Sequence, residues 1–194
     1  MRTKKALLNI ISSGLYQVVS IVCGLIVPRL ILVNYGSTYN GVYASLTQIL
    51  GMISILTLGL AGATRVELYK SLAINDVLGT SRIMKATRNF MHKVGLILLV
   101  YTVILLAIYP FTSHNSLTFL ENDLLILIVC LSVFGEYYFA LPNKTLLMAD
   151  QTGYIAQNIY TTARITETLI TVLFVSIGCS IFVVKGASSL IFLL

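Results

Sequence analysis

Four charged side chains lie in or beside long apolar runs of the sequence: Arg29, Glu136, Arg164 and Glu167. A charge at the centre of a membrane helix costs about 2.5–3.5 kcal/mol on insertion scales, so such residues usually face a bundle interior or a cavity. Arg164 and Glu167 are three residues apart and can pair along one helix, while Glu136 can meet Arg164 across two helices. The pattern predicts either an internal ion pair that fixes packing, or an anion-binding arginine beside carboxylates, Glu136 and Glu167, that exchange an ion.

Arg29 has a different setting, because it directly follows Pro28 near the end of the first apolar run. Proline removes a helical hydrogen bond and bends the helix. Two interpretations stay open: the bend directs Arg29 into a cavity, or its long side chain extends to the lipid headgroups.

Polar residues recur at helical spacing in three of the apolar runs. The members are Asn9, Ser13, Gln17 and Ser20 in the first run; Tyr43, Thr47 and Gln48 in the second; and Gln157, Thr161, Arg164 and Thr168 in a third. Small and hydroxylated residues at this spacing let membrane helices pack closely. Three long stripes that include amides and a charge favour instead a shared, water-filled cavity.

The elements that carry these residues follow from composition. Of the 194 residues, 57% are hydrophobic and 10% charged, and the mean hydropathy is +0.92. Soluble proteins carry about 25% charged residues, so most soluble enzymes, nucleic-acid binders and disordered proteins are excluded. We expect an all-α integral membrane bundle of about five complete spans and a truncated sixth, with limits 6–33, 41–63, 94–111, 124–141, 154–176 and 186–194.

Two of these limits need comment. An alternative for the fifth span places an amphipathic helix over 154–167 and the span over 168–184. The last run ends after nine residues, too short for the ~30 Å hydrocarbon core, so we expect the chain to be part of a longer membrane protein.

Lysine and arginine set the expected orientation. Three lie at the N-terminus, six lie in the stretch 64–93, and Lys144 follows the fourth span, whereas 34–40 and 113–123 carry none. The N-terminus and a basic loop over 64–93 are therefore predicted to be cytoplasmic. That loop is either an amphipathic helix on the membrane surface or a solvated connection.

Motifs of soluble catalysis are absent from the sequence, which has no GxxxxGK[ST], HExxH or GxSxG. The three cysteines are far apart in apolar runs and are typical of small hydrophobic residues. We expect no enzyme, no cofactor, no metal site and no nucleic-acid partner.

A resemblance to a known family emerges from several motifs. The run 28–41, PRLILVNYGSTYNG, resembles the first external turn of bacterial polysaccharide-exporter flippases, which often have P-R-x-I-x-x-x-Y-G-S-x-x-N-G there. The segments 45–63, 68–76 and 147–154 are similar to the same family, which belongs to the multidrug/oligosaccharidyl-lipid/polysaccharide superfamily. The likeness covers most of 1–175.

The resemblance implies a bundle of two repeated halves around a central cavity, of which this chain is the N-terminal half. It implies export of undecaprenyl-diphosphate-linked oligosaccharide across the bacterial plasma membrane by alternating access. The expected partners are membrane lipids, this substrate, and the missing C-terminal half or another copy. Arg164 and Arg29 are then the phosphate contacts, and the polar stripes line the sugar path.

Two other functions remain open. A cation-coupled exporter of small molecules or drugs from the same superfamily uses a buried carboxylate such as Glu136 or Glu167. A membrane scaffold or truncated product does not transport at all.

Overall fold

In the computed structural model, which describes residues 2–112 and 117–191, the chain is helical apart from short connections. The predicted connection 113–123 and the predicted last span 186–194 therefore fall partly outside the described residues. The elements are α1 (Arg2–Tyr35), α2 (Ser37–Gly51), α3 (Ser54–Ala73), α4 (Val77–Thr112), α5 (Phe119–Gly135), a π-helical segment (Glu136–Ala140), α6 (Leu141–Ala149), α7 (Gly153–Ser176) and α8 (Ile181–Ile191).

Within this described part, three helical stretches are long and apolar enough to cross a membrane: Thr3–Tyr35, Val77–Phe111 and Phe119–Ala149. The pair α2 and α3 meets the same criteria together but is bent by 46°, and it makes a fourth if it is counted as one span. The expectation of a helical membrane protein is thus confirmed. The count of five complete spans and a sixth stays a prediction.

The surface of the bundle is strongly apolar, and its interior contains many polar side chains beside the apolar ones. Fully buried side chains include many hydroxyl groups, whereas α1 and α4 expose rows of leucine, isoleucine and valine, the reverse of a soluble protein. The buried hydroxyl residues are Ser12, Thr57, Thr64, Ser71, Thr87, Thr102, Thr145, Thr161, Thr168, Thr171, Ser188 and Ser189. Lipid is the solvent that stabilises such an exterior, so the protein is membrane-embedded.

The predicted second span, 41–63, is interrupted in the structure. Gly51 ends α2, Met52 and Ile53 form a turn, and α3 begins at Ser54. Glycine has no side chain to restrain the backbone, so a helix bends most readily there. The Met52 amide is shared between the carbonyls of Gln48 and Ile49, which marks the tightened last turn of α2.

The stretch 64–93, predicted to be a basic loop, is mostly helical. It comprises the end of α3, a short turn and the first half of α4. Leu68 of α3, Met84 of α4 and Ala149 of α6 pack together in a small buried cluster. With 36 residues, α4 is about 54 Å long and exceeds the ~30 Å hydrocarbon core. Its basic first half and its apolar second half therefore form one continuous helix.

The predicted fourth span, 124–141, is extended at both ends. A capping box starts α5. The Thr118 hydroxyl accepts a hydrogen bond from the Glu121 amide, and the Glu121 carboxylate accepts one from the Thr118 amide. The π-helical segment lies directly before Pro142, at the start of α6. Proline has no amide hydrogen, and the wider π turn carries the helix through to Ala149.

Packing leaves a gap at the centre of the bundle. Apolar side chains of α2, α4 and α5 form the main buried core, around Leu46, Leu98 and Ile126. On the other side, α1 packs along α7, and α7 turns back into α8, which contacts α5. The polar stripes of α2 and α7 meet in the space between these two groups. The alternative split of α7 into two pieces does not occur, since Gly153–Ser176 is one helix.

Candidate functional site

A buried ion pair lies at the centre of this gap. The Arg164 guanidinium donates to the Glu167 carboxylate at 2.7 Å, one turn apart on α7. The Glu167 side chain is 9% exposed and that of Arg164 is 37% exposed. The pairing allowed by the three-residue spacing is present, and part of the guanidinium still faces open space.

A third charge, which the sequence analysis did not single out, completes the cluster. Lys185 of α8 is buried, and its ammonium nitrogen lies 3.9 Å from the centre of the Tyr43 ring, a cation–π contact. The ammonium also interacts electrostatically with Glu167 and Arg164. Two cations therefore share one carboxylate. The available signal was a lone lysine within an apolar run.

Arg164 and Glu167 border a cavity of about 250 Å³ that is lined by residues of α1, α2, α5, α7 and α8. Glu136, at the start of the π-helical segment, lies on its wall together with Arg164 and Glu167. Hydroxyl groups supply most of the remaining polar lining: Tyr16, Tyr43, Thr47, Ser132, Tyr160, Ser188 and Ser189.

A second cavity of about 380 Å³ adjoins the first between α1, α2, α7 and α8. The two share Tyr43, Thr47, Arg164 and Glu167 as lining residues. The second cavity adds amide and hydroxyl groups and the third charge: Asn40, Gln48, Thr168 and Lys185. The structure thus joins predicted stripe residues of α2 and α7 with the charged cluster in one polar space.

The predicted stripe on α1 is placed differently. The Asn9 carboxamide accepts the Tyr154 amide at 2.6 Å and donates to the Gln151 carbonyl at 3.1 Å. It therefore caps the start of α7. Ser13 and Gln17 are exposed, and Ser20 is half-buried.

Three further predicted residues, Arg29, Thr161 and Gln157, are not among the residues that line these two cavities. Arg29 is exposed near the end of α1. Thr161 is buried, and its hydroxyl donates to the carbonyl of Gln157 on the preceding turn. The side-chain oxygen of Gln157 is buried and accepts no hydrogen bond in the described part of the chain.

Glu136 is the least restrained charge on the cavity wall. It is exposed, and none of the ion pairs formed by residues 2–112 and 117–191 includes it. The walls of the two adjoining cavities thus carry two cationic side chains, Arg164 and Lys185, and two carboxylates, Glu167 and Glu136.

In the part of the chain that the structure describes, no three His, Cys, Asp or Glu side chains are grouped closely enough to hold a metal ion. Comparisons of the chain with protein-family models, curated proteins and solved structures match nothing. The function is accordingly argued below from the cavity itself.

Proposed function

We propose that this protein is a membrane transporter of the flippase type. It moves undecaprenyl-diphosphate-linked oligosaccharide across the bacterial plasma membrane for the synthesis of cell-surface polysaccharide. The observation that carries the proposal is the placement of two cations with one carboxylate, Arg164, Lys185 and Glu167, in a polar cavity inside an apolar bundle.

The cations match the diphosphate of such a substrate. Arginine presents a planar set of donors that binds phosphate oxygens in pairs, and lysine adds a compact point charge. Because the Arg164 guanidinium is already bonded to Glu167 at 2.7 Å, it is held in place before an anion arrives. Lys185 contacts the Tyr43 ring and forms no ion pair among the described residues, so in this proposal its ammonium is available to a phosphate oxygen.

The remaining walls match the sugar. Sugar hydroxyls need donors and acceptors, which the tyrosine, serine and threonine side chains of the central cavity provide. Asn40 and Gln48 add amide groups in the adjoining cavity. In this proposal the N-terminus is cytoplasmic, and the chain forms one half of the transport path, completed by a second half or another copy.

Equilibrium binding tests the proposal without requiring transport by this chain alone. The chain is reconstituted in phosphatidylcholine vesicles and titrated with fluorescent undecaprenyl-diphosphate-linked disaccharide. We expect Arg164→Gln and Lys185→Met each to weaken binding at least tenfold. The matched controls Arg82→Gln and Lys85→Met, on the exposed basic face of α4, leave it within twofold.

Because removal of Arg164 strands a buried carboxylate, Arg164→Lys serves as the folding control. It keeps the charge but loses the paired donors, and we expect a smaller loss of affinity than for Arg164→Gln. Equal affinity of the cavity variants and the α4 controls would contradict the proposal.

Glu136 supports a second candidate, a cation-coupled exporter of small molecules. A carboxylate on the cavity wall without an ion pair in the described part of the chain is suited to exchange a proton during transport. Loss of proton-driven efflux in Glu136→Gln, with no effect of sugar-lipid as a competitor, would favour this candidate over the flippase.

A further inference from the structure

An apolar cleft continues from the central cavity to the outside of the bundle. It has a volume of about 290 Å³ and lies between the π-helical segment and α6 on one side and α7 on the other. Its walls are mainly Phe139, Leu147, Ala156, Ile159 and Ala163. The side chains of Phe139 and Ile159 are 51% and 62% exposed, so the cleft opens on the outer surface of the described bundle.

The inner end of the cleft is shared with the polar cavity. Glu136 and Tyr160 line both spaces. The Lys144 ammonium lies 4.4 Å from the centre of the Tyr160 ring, at the rim of the cleft. Arg164 follows Tyr160 by four residues, a rise of about 6 Å along α7. A molecule that follows α7 inwards therefore passes from apolar walls to Lys144 and then to Arg164.

The geometry points to this cleft as the binding site for the polyprenyl chain of the substrate, an inference that rests on the function proposed above. The isoprene units nearest the diphosphate lie between α6 and α7, and the rest of the chain extends into the bilayer. The diphosphate lies beside Tyr160, between Lys144 and Arg164. The cleft thus binds one part of an amphiphile whose polar part lies in the cavity.

Two features favour a polyprenyl diphosphate over an ordinary phospholipid. The headgroup of a phospholipid stays at the bilayer surface, whereas the cleft ends at a polar cavity that can hold a phosphate group away from that surface. Lys144 lies at the cleft and Arg164 lies on the cavity wall, so a diphosphate that enters first meets these two cations in succession. Burial of the first isoprene units contributes affinity in proportion to the apolar area removed from water.

Photolabelling tests the site directly. The probe is a polyprenyl diphosphate without sugar, with a diazirine on the isoprene unit nearest the diphosphate. The chain is reconstituted in phosphatidylcholine vesicles, irradiated and digested, and the labelled residues are identified by mass spectrometry. We expect label on residues 139–163, competed by unlabelled polyprenyl diphosphate but unaffected by a tenfold excess of phosphatidylglycerol.

A variant pair fills the cleft and provides a control. Ala163→Phe places a ring in the cleft and should reduce this labelling at least fivefold. Ala107→Phe, the same change on an exposed position of α4, should leave it unchanged. If Ala163→Phe does not fold, the competition experiment on the unaltered chain still decides the question.

The outcomes separate the two levels of the proposal. Saturable labelling at another surface, with binding of the sugar-lipid intact, contradicts the assignment of the cleft as the polyprenyl site but does not contradict the flippase function. Equal competition by phosphatidylglycerol also overturns the cleft, since it then holds any lipid chain. Absence of saturable labelling together with absence of sugar-lipid binding overturns both.

Discussion

Replacement of Glu167 by glutamine tests whether the three charges form one energetic unit. Glutamine has nearly the same shape and keeps a carbonyl oxygen that can accept from the Arg164 guanidinium. It removes the negative charge that pairs with Arg164 and interacts with Lys185. Both cations then lose their favourable interaction with this carboxylate, so the folded state should lose stability.

The expected loss of unfolding free energy follows from the exposure of the Arg164 and Glu167 side chains. Breaking a fully buried pair costs about 3–5 kcal/mol, whereas an exposed pair contributes about 0–1 kcal/mol. The Glu167 side chain is 9% exposed and that of Arg164 is 37% exposed, so the pair lies between these limits. We expect Glu167→Gln to lower the free energy of unfolding by about 2 kcal/mol.

A double mutant separates the contribution of Lys185. In the Glu167→Gln background, Lys185→Met removes one of the two stranded cations and keeps most of the buried aliphatic stem. The loss in the double variant should therefore be about 1 kcal/mol smaller than the sum of the two single losses, a coupling typical of residues in one charge network.

Unfolding by sodium dodecyl sulfate in mixed micelles, followed by far-ultraviolet circular dichroism, provides the measurement. Glu67→Gln is the matched control, because the Glu67–Lys70 pair has the same spacing but both side chains are more than half exposed. Its effect should stay within about 0.5 kcal/mol. An equal effect of Glu167→Gln and Glu67→Gln, or additivity of the Glu167 and Lys185 changes, would refute the reasoning.

Three other variants test separate parts of the structure. Asn9→Ala removes the side chain of α1 that caps α7 and should lower the free energy of unfolding by about 1 kcal/mol. Gln17→Ala, at an exposed position of α1, should change it little. Glu136→Gln removes a carboxylate from the cavity wall, so an anionic sugar-lipid should bind more tightly; unchanged affinity would contradict this. Gly95→Leu should destabilise by about 1–3 kcal/mol, because a side chain there meets two aromatic rings at 3.3–3.4 Å, whereas Gly14→Leu has open space and serves as its control.

Composition and periodicity predict the coarse architecture well. Long apolar runs are enough to predict a helical membrane protein, because only a lipid solvent tolerates so few charges. Polar residues at helical spacing also indicate which faces of α2 and α7 point inwards. Tyr43, Thr47 and Arg164 lie together on the cavity wall for that reason.

Other features depend on contacts that no local pattern contains. The role of Asn9 depends on the start of α7, which lies more than 140 residues later in the chain. The bend between α2 and α3 and the π-helical segment both interrupt runs that hydropathy alone predicts as continuous helices. The sequence does not single out Lys185, because its apolar run is too short to span a bilayer. Its neighbours in space, Tyr43 and Glu167, also come from other helices.

A physical constraint of the membrane explains why charged residues are grouped at the cavity. In lipid, a polar group has no water to bind, so each charge must find a partner within the protein. Arg164 and Glu167 are paired with each other, and Lys185 adds one further cation. Glu136 faces the same space without an ion pair in the described part of the chain. A structural ion pair needs neither the additional cation nor the open cavity beside it. These two features are what support the proposal that the site binds an anionic ligand.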